Sequence, residues 1–111
     1  MDPFTEKRVH SILNGYIHVK IPARMRTSVQ LLYEMRDHEL TLREKRLSWD
    51  GKSWEMTDIA KFKLEPEGWK VYAKNRQQGN WLGVNSIMPN MDFENQLEQV
   101  ERDPAGIFWP A

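Results

Sequence analysis

Ser28-Val29-Gln30-Leu31-Leu32-Tyr33-Glu34-Met35-Arg36-Asp37-His38-Glu39-Leu40-Thr41-Leu42 is the stretch whose reading decides the fold. Val29, Leu31, Tyr33 and Met35 alternate with Gln30, Glu34 and Arg36, the period of two that marks a half-buried strand. Arg36-Asp37-His38-Glu39 reads as a tight turn. Leu40 and Leu42 then open a second strand, with Thr41, Arg43 and Lys45 on its other face. Strands joined this closely pair antiparallel.

The same signals repeat toward the C-terminus. Trp49-Asp50-Gly51-Lys52-Ser53-Trp54 carries an Asp-Gly turn between two tryptophans. A third strand runs near Met56 to Leu64, with Ile59, Ala60, Phe62 and Leu64 apolar, and Glu65-Pro66-Glu67-Gly68 turns the chain again. In a fourth strand Trp69, Val71 and Ala73 alternate with Lys70, Tyr72 and Lys74. Gln77-Gln78-Gly79-Asn80 is a turn, and Trp81 to Val84 makes a short fifth strand. Short connections throughout predict neighbouring strands paired as a meander.

Toward the N-terminus the period lengthens. Val9, Ile12, Leu13, Tyr16 and Ile17 fall on one helical stripe, with Asp2 as the cap, Pro3 in the first turn and Glu6 at the positive end of the dipole. Gly15 weakens that helix by about 1 kcal/mol relative to Ala, so the packed face must supply its stability. Pro22 ends it, and Ala23 to Ser28 form a basic connector with Arg24 and Arg26. At the other end Phe93, Leu97 and Val100 recur at helical spacing behind Asp92 or Asn90, and Asp103-Pro104-Ala105-Gly106 stops the helix. Ile107-Phe108-Trp109 is an apolar terminal hook. The expected architecture is α+β: an N-terminal helix, a five-stranded antiparallel β-meander and a C-terminal helix, in a single domain over residues 1–111.

Bulk composition bounds the rest. A chain of 111 residues buries roughly two-thirds of its unfolded surface, enough for one core without staples. There is no cysteine, which excludes disulfides, thiolate metal sites and a cysteine nucleophile and fits a reducing compartment. No stretch approaches the roughly 18 apolar residues of a membrane span, and the N-terminus lacks the basic start and apolar run of a signal peptide. A cytoplasmic protein with no membrane association is expected. Sixteen basic and sixteen acidic residues cancel, so no global field draws the chain to nucleic acid. From Asp92 onward, however, five acids stand against Arg102 alone.

Ile21-Pro22, Leu42 with Glu44 and Arg46, Ile59-Ala60-Lys61-Phe62, Trp69 with Tyr72, Trp81, and Asp103-Pro104 with Ile107-Phe108-Trp109 form an ordered series. That series, from about Ile21 to Trp109, resembles the small bacterial family catalogued as domain of unknown function 3024. Leu82 after Trp81 is less polar than in many relatives, and Ala73 stands where another aromatic is common, which reduces any aromatic ligand face. The resemblance implies a fold and no activity.

Residues that could carry chemistry are sparse. His10 and His18 lie eight apart on one helix, whereas chelation there needs a spacing of three or four, and His38 is in a turn. The carboxylate pairs Glu65/Glu67 and Glu98/Glu101 read as solvated, without the unlike environments that acid–base work requires. The six glycines are isolated, and no Gly-x-Ser-x-Gly exists. No cofactor, metal or catalytic residue is therefore expected. The candidate binding surface is basic and aromatic: Arg43, Lys45 and Arg46 facing Lys61 and Lys63, with Lys70, Tyr72 and Lys74 beside them and Trp49 and Trp54 at the hairpin. Lysines on an exposed sheet also guard against aggregation. Of the five tryptophans, Trp69, Trp81 and Trp109 are expected to fill the core, and Trp49 and Trp54 to be the rings free for a partner. The expected function is a small non-enzymatic interaction module binding a protein partner or a second copy, with single-stranded nucleic acid as the alternative.

Overall fold

The computed structural model describes residues 1–110; Ala111, the last residue of the expected domain, lies outside the described residues. Helix α1 spans Pro3–Lys20, and the Asp2 carboxylate caps it by accepting from the Thr5 amide at 2.9 Å. Val9 and Leu13 are buried while Ile12, Tyr16 and Ile17 flank them, so the predicted stripe faces the core. The connector contains a short 3₁₀ turn over Ala23–Met25. Strands β1 (Val29–Arg36), β2 (Glu39–Leu47), β3 (Trp54–Glu65), β4 (Gly68–Lys74) and β5 (Trp81–Gly83) follow, and helix α2 (Phe93–Arg102) closes the order. The sheet is a five-stranded antiparallel meander in chain order. Asp37 takes a left-handed φ of 54° in the two-residue turn between β1 and β2, a conformation Asp tolerates better than most residues.

One irregularity sets how β3 presents its side chains. Leu42 of β2 pairs with Ala60, but Arg43 pairs with Asp58, so Ile59 is an extra residue bulged out of the ladder. Ile59 and Ala60 are consecutive and both fully buried, which a regular strand does not allow. Upstream of the bulge Trp54, Met56 and Asp58 point away from the core; downstream it is Lys61, Lys63 and Glu65 that do so. The phase change keeps both sets on one face.

Both helices pack on the other face. The core joins Val9 and Leu13 of α1, Phe93, Leu97 and Val100 of α2, and Leu40, Leu42, Phe62, Trp69 and Val71 of the sheet. Phe93 sits edge-on to Phe62 at 5.0 Å and to Trp69 at 5.1 Å. Trp69 is 1% exposed, as expected of core filler. Gln96, also fully buried, donates to the carbonyls of Trp69 and Met88 and so ties α2 to the sheet and to the loop before it. Gly68 has a φ of 127°, and a Cβ there would stand 2.5 Å from the Asn90 backbone, where residue 90 bridges to Trp69.

The terminal hook is latched by Asp103, itself left-handed at the end of α2. Its carboxylate accepts from the amides of Ile107, Phe108 and Trp109. Phe108 is buried, and the Trp109 indole donates to the Val100 carbonyl at 3.0 Å. Glu101, expected to be a solvated charge, instead joins the helices by accepting from Tyr16 at 2.7 Å and from Lys20 at 2.7 Å. Burial of the Tyr16 hydroxyl and the neighbouring Glu101 raise its pKa well above the ordinary phenol value. No helix among the described residues is long and apolar enough to cross a membrane.

Candidate functional site

With both helices on one side, the opposite face of the sheet is bare, and strand alternation decides what it shows. β1 contributes Leu32 and Glu34, β2 Glu39, Arg43, Lys45 and Leu47, and β3 Trp54, Met56, Asp58, Lys61, Lys63 and Glu65. β4 adds Lys70, Tyr72 and Lys74, and β5 adds Trp81. Nine of the ten sequence candidates thus belong to this face or, in the case of Trp49, to the hairpin at its end. Arg46 does not. It follows Lys45 directly, so the pleat turns it to the helix side, where it pairs with the buried Glu44 at 3.2 Å.

Trp81 corrects a second expectation. Its partner across the ladder is Lys74, which puts the ring on the open face rather than in the core. Lys74 lies 4.8 Å and Lys61 5.1 Å from the ring centroid, so two cations lie against the indole. A strand of three residues is too short for its alternation to show in the sequence; only the register with β4 reveals the face.

The open face has two halves of different chemistry. At the β4–β5 side, Lys61, Lys63, Lys70 and Lys74 surround Tyr72 and Trp81. Gly83 stands opposite Tyr72, and a Cβ there would come within 3.0 Å of the Lys70 side chain, so the glycine lets Lys70 and Tyr72 lie across β5. Lys63 and Lys70 face each other directly, a like-charge pair that destabilises a ladder unless an anion relieves it. Glu39 does so in part, at 3.3 Å from Lys63 and 3.6 Å from Lys61. The hydrogen bond to Glu39 holds the Lys63 pKa above its ordinary value.

At the centre Asp58 accepts from Arg43 at 2.8 Å and pairs with Lys74 at 3.0 Å. Burial pushes its carboxyl up, but the hydrogen bonds and charges of Arg43 and Lys74 outweigh burial and leave the pKa below the usual carboxylate value. Glu34 binds the other side of Arg43 at 2.9 Å.

The hairpin end is apolar. Trp54 and Met56 are exposed on β3, with Leu47 opposite Trp54, and Trp49 in the β2–β3 turn is 99% exposed. Asp50 and Gly51 build that turn: the Asp50 carboxylate accepts from the Ser48 hydroxyl and the Lys52 amide, and Gly51 takes a φ of 73°. Lys45 lies 5.0 Å over the Trp54 ring, and no carboxylate among the described residues lies within 4.0 Å of it. Alternation alone would have added Met56 to the candidates, because it shares a face with Trp54.

The family described as "Domain of unknown function (DUF3024)" matches residues 1–110. The chain belongs to this family. The match takes in α1 as well as the stretch from Ile21 to Trp109 that carries the resemblance in sequence, so the two helices and the sheet are all part of the DUF3024 unit. Comparison with curated proteins and with solved structures gives no match. The histidines are dispersed: His10 bonds the Tyr33 hydroxyl at 2.7 Å, and His18 lies beside Arg26. Among the described residues no three of His, Asp and Glu gather as a metal site would require.

Proposed function

We propose that this DUF3024 domain is a non-enzymatic interaction module that docks a protein partner on the hairpin end of its open sheet face. Trp49 carries the reading: a tryptophan that is 99% exposed in the turn that leads into Trp54 and Met56 is apolar surface the fold itself does not use. Tryptophan anchors surrounded by a polar rim are the usual energetic centres of protein interfaces. Lys45 and the Arg43–Asp58 pair supply such a rim. A cysteine-free chain suits a partner in a reducing compartment such as the cytoplasm.

The test is affinity capture with the immobilised domain from cells of its source, comparing wild type with Trp49→Ser/Met56→Glu and with Lys61→Glu/Lys63→Glu. A protein retained by wild type and by the lysine variant, and lost with the first, supports hairpin docking. Equal retention on all three overturns it.

The lysine-and-ring half favours a second reading, single-stranded nucleic acid, because the Lys63–Lys70 pair and the lysine-flanked Trp81 would gain from an anionic, stackable ligand. Fluorescence anisotropy with labelled single-stranded DNA and RNA at low and moderate salt decides it. Binding that weakens with salt and disappears in Lys61→Glu/Lys63→Glu supports this reading; no salt-sensitive binding at micromolar protein removes it.

A further inference from the structure

The helical layer has an unpartnered surface of its own. Phe4, Arg8, Ser11, Gly15 and Val19 are spaced four, three, four and four residues apart, so they share one face of α1, turned away from the Val9–Leu13 core stripe. Phe4 is 80% and Val19 81% exposed. Beside this face a groove of about 580 Å³ runs between the helices, floored by Ile12, Tyr16 and Leu97 and walled on the α2 side by Glu94 and Glu98. It continues past Ser11 and Ile12 into a smaller hollow flanked by Lys7 and Arg8. Among the described residues, neither Lys7, Arg8 nor Glu94 has an ion-pair partner, whereas Glu98 pairs with Arg102.

We infer that this groove is a homodimer interface, in which α1 of one protomer lies antiparallel on α1 of its partner. Charge identifies the occupant. The groove is basic at its Lys7–Arg8 end and acidic along Glu94–Glu98, so a uniformly basic or acidic peptide would be repelled at one end. A twofold axis beside Ser11 and Ile12 reverses the second copy and lays each basic end on the other's acidic wall, the self-complementarity an isologous contact needs. The same operation sets Phe4 against the partner's Val19, covering the two most exposed apolar side chains of the helix at either end of a stripe about 22 Å long. Arg8 then crosses the partner's Gly15 on its way to the partner's Glu94 and Glu98. Gly15 has no atom within 4 Å of where a Cβ would stand, so nothing in the monomer requires a glycine there, and its cost to the helix is explained by this close approach. The inference concerns the helical layer and stands apart from the function proposed for the open sheet face.

Sedimentation velocity over a concentration series tests it, with Lys7→Glu/Arg8→Glu and Glu94→Lys/Glu98→Lys as charge-reversed variants. Wild type is expected to show a monomer–dimer equilibrium, and each variant alone to have its dissociation constant raised at least about tenfold by like charges at both ends. Mixing the two variants is expected to restore dimer, because in the heterodimer both ends are again opposite in sign. Gly15→Gln is the control for folding: it removes a helix-weakening glycine, so at a concentration low enough for wild type to be monomeric its melting temperature should equal or exceed that of wild type, while at high concentration the dimer is lost. A wild type that stays monomeric up to about millimolar concentration overturns the inference. So does a dimer that persists in the separate charge variants, which would place the interface elsewhere.

Discussion

Trp49→Ser separates the two roles a tryptophan can have. In the monomer its ring is 99% exposed, so truncation removes no packed surface and folding stability should change by no more than about 0.5 kcal/mol. Against a partner the balance is different. A buried Trp contributes roughly 150–250 Å² of contact, which at about 25 cal/mol per Å² sets a ceiling near 4–6 kcal/mol. Ordering costs reduce this, and truncation of such anchors typically costs about 2–4 kcal/mol, or roughly thirty- to a thousandfold in affinity. Urea unfolding followed by circular dichroism gives the first quantity, and the fraction of a captured partner retained over a dilution series gives the second. The expected result is an unchanged urea midpoint with retention lost. A midpoint shift that, multiplied by the m-value, amounts to a loss of more than about 1 kcal/mol would show that the ring packs in solution. Unchanged retention of a partner that Met56→Glu releases would move the anchor from the turn to the sheet.

Two further predictions concern the framework that presents the face. Asp58→Asn should cost about 1 kcal/mol at neutral pH, discounted for the partial exposure of its pairs with Arg43 and Lys74. Because the folded carboxyl titrates below its unfolded value, its contribution is fully present above the ordinary carboxylate pKa of about 3.9 and is lost as pH falls through the folded value. Wild type should therefore lose stability more steeply than the variant on acidification below about pH 4, and parallel acid limbs in pH-dependent urea midpoints would refute the assignment. Asp103→Ala removes the acceptor for the amides of Ile107, Phe108 and Trp109 and should cost about 2–3 kcal/mol, with the Trp109 fluorescence shifting toward that of an exposed ring. A variant as stable as wild type would show that the hook is held by packing alone.

Periodicity carried the fold because each element buries one face and the pattern records which. Val29–Met35, Trp69–Lys74 and the α1 stripe were all legible for that reason, and the caps at Asp2 and Asp92 announced themselves by residue type. What stayed hidden depends on register or on contacts distant in sequence. Trp81 looks like core filler until its pairing with Lys74 is known. Glu101 reads as a solvated helix charge, and only its approach to Lys20 and Tyr16, more than 80 residues away, makes it a tie between helices. Gln96 gives no signal at all: a polar residue on a helix reads as exposed, and its burial depends on two backbone carbonyls that the tertiary fold supplies. The Arg46 placement is the opposite case, since alternation from Lys45 already excludes the shared face.

The bulge at Ile59 shows why the candidate face was only half legible. On an unbroken strand Met56, Asp58, Ala60 and Phe62 would share one side, and Lys61 and Lys63 would lie with Thr57 and Glu55 on the other. The apolar hairpin end and the lysine cluster would then look in opposite directions. Inserting one residue into the ladder shifts the phase by one, sends both Ile59 and Ala60 to the core and brings Trp54, Met56, Asp58, Lys61 and Lys63 onto a single continuous surface. The consecutive apolar pair Ile59-Ala60 between two alternating runs is the trace this leaves in the sequence. Asp58, at the junction, faces Arg43 across the ladder and Lys74 from β4, so the polar hub of the face sits where the phase changes. A partner bridging both halves would have to pass over that hub. The same residue that sets acid stability would then also set the charge the partner meets at the centre of the face.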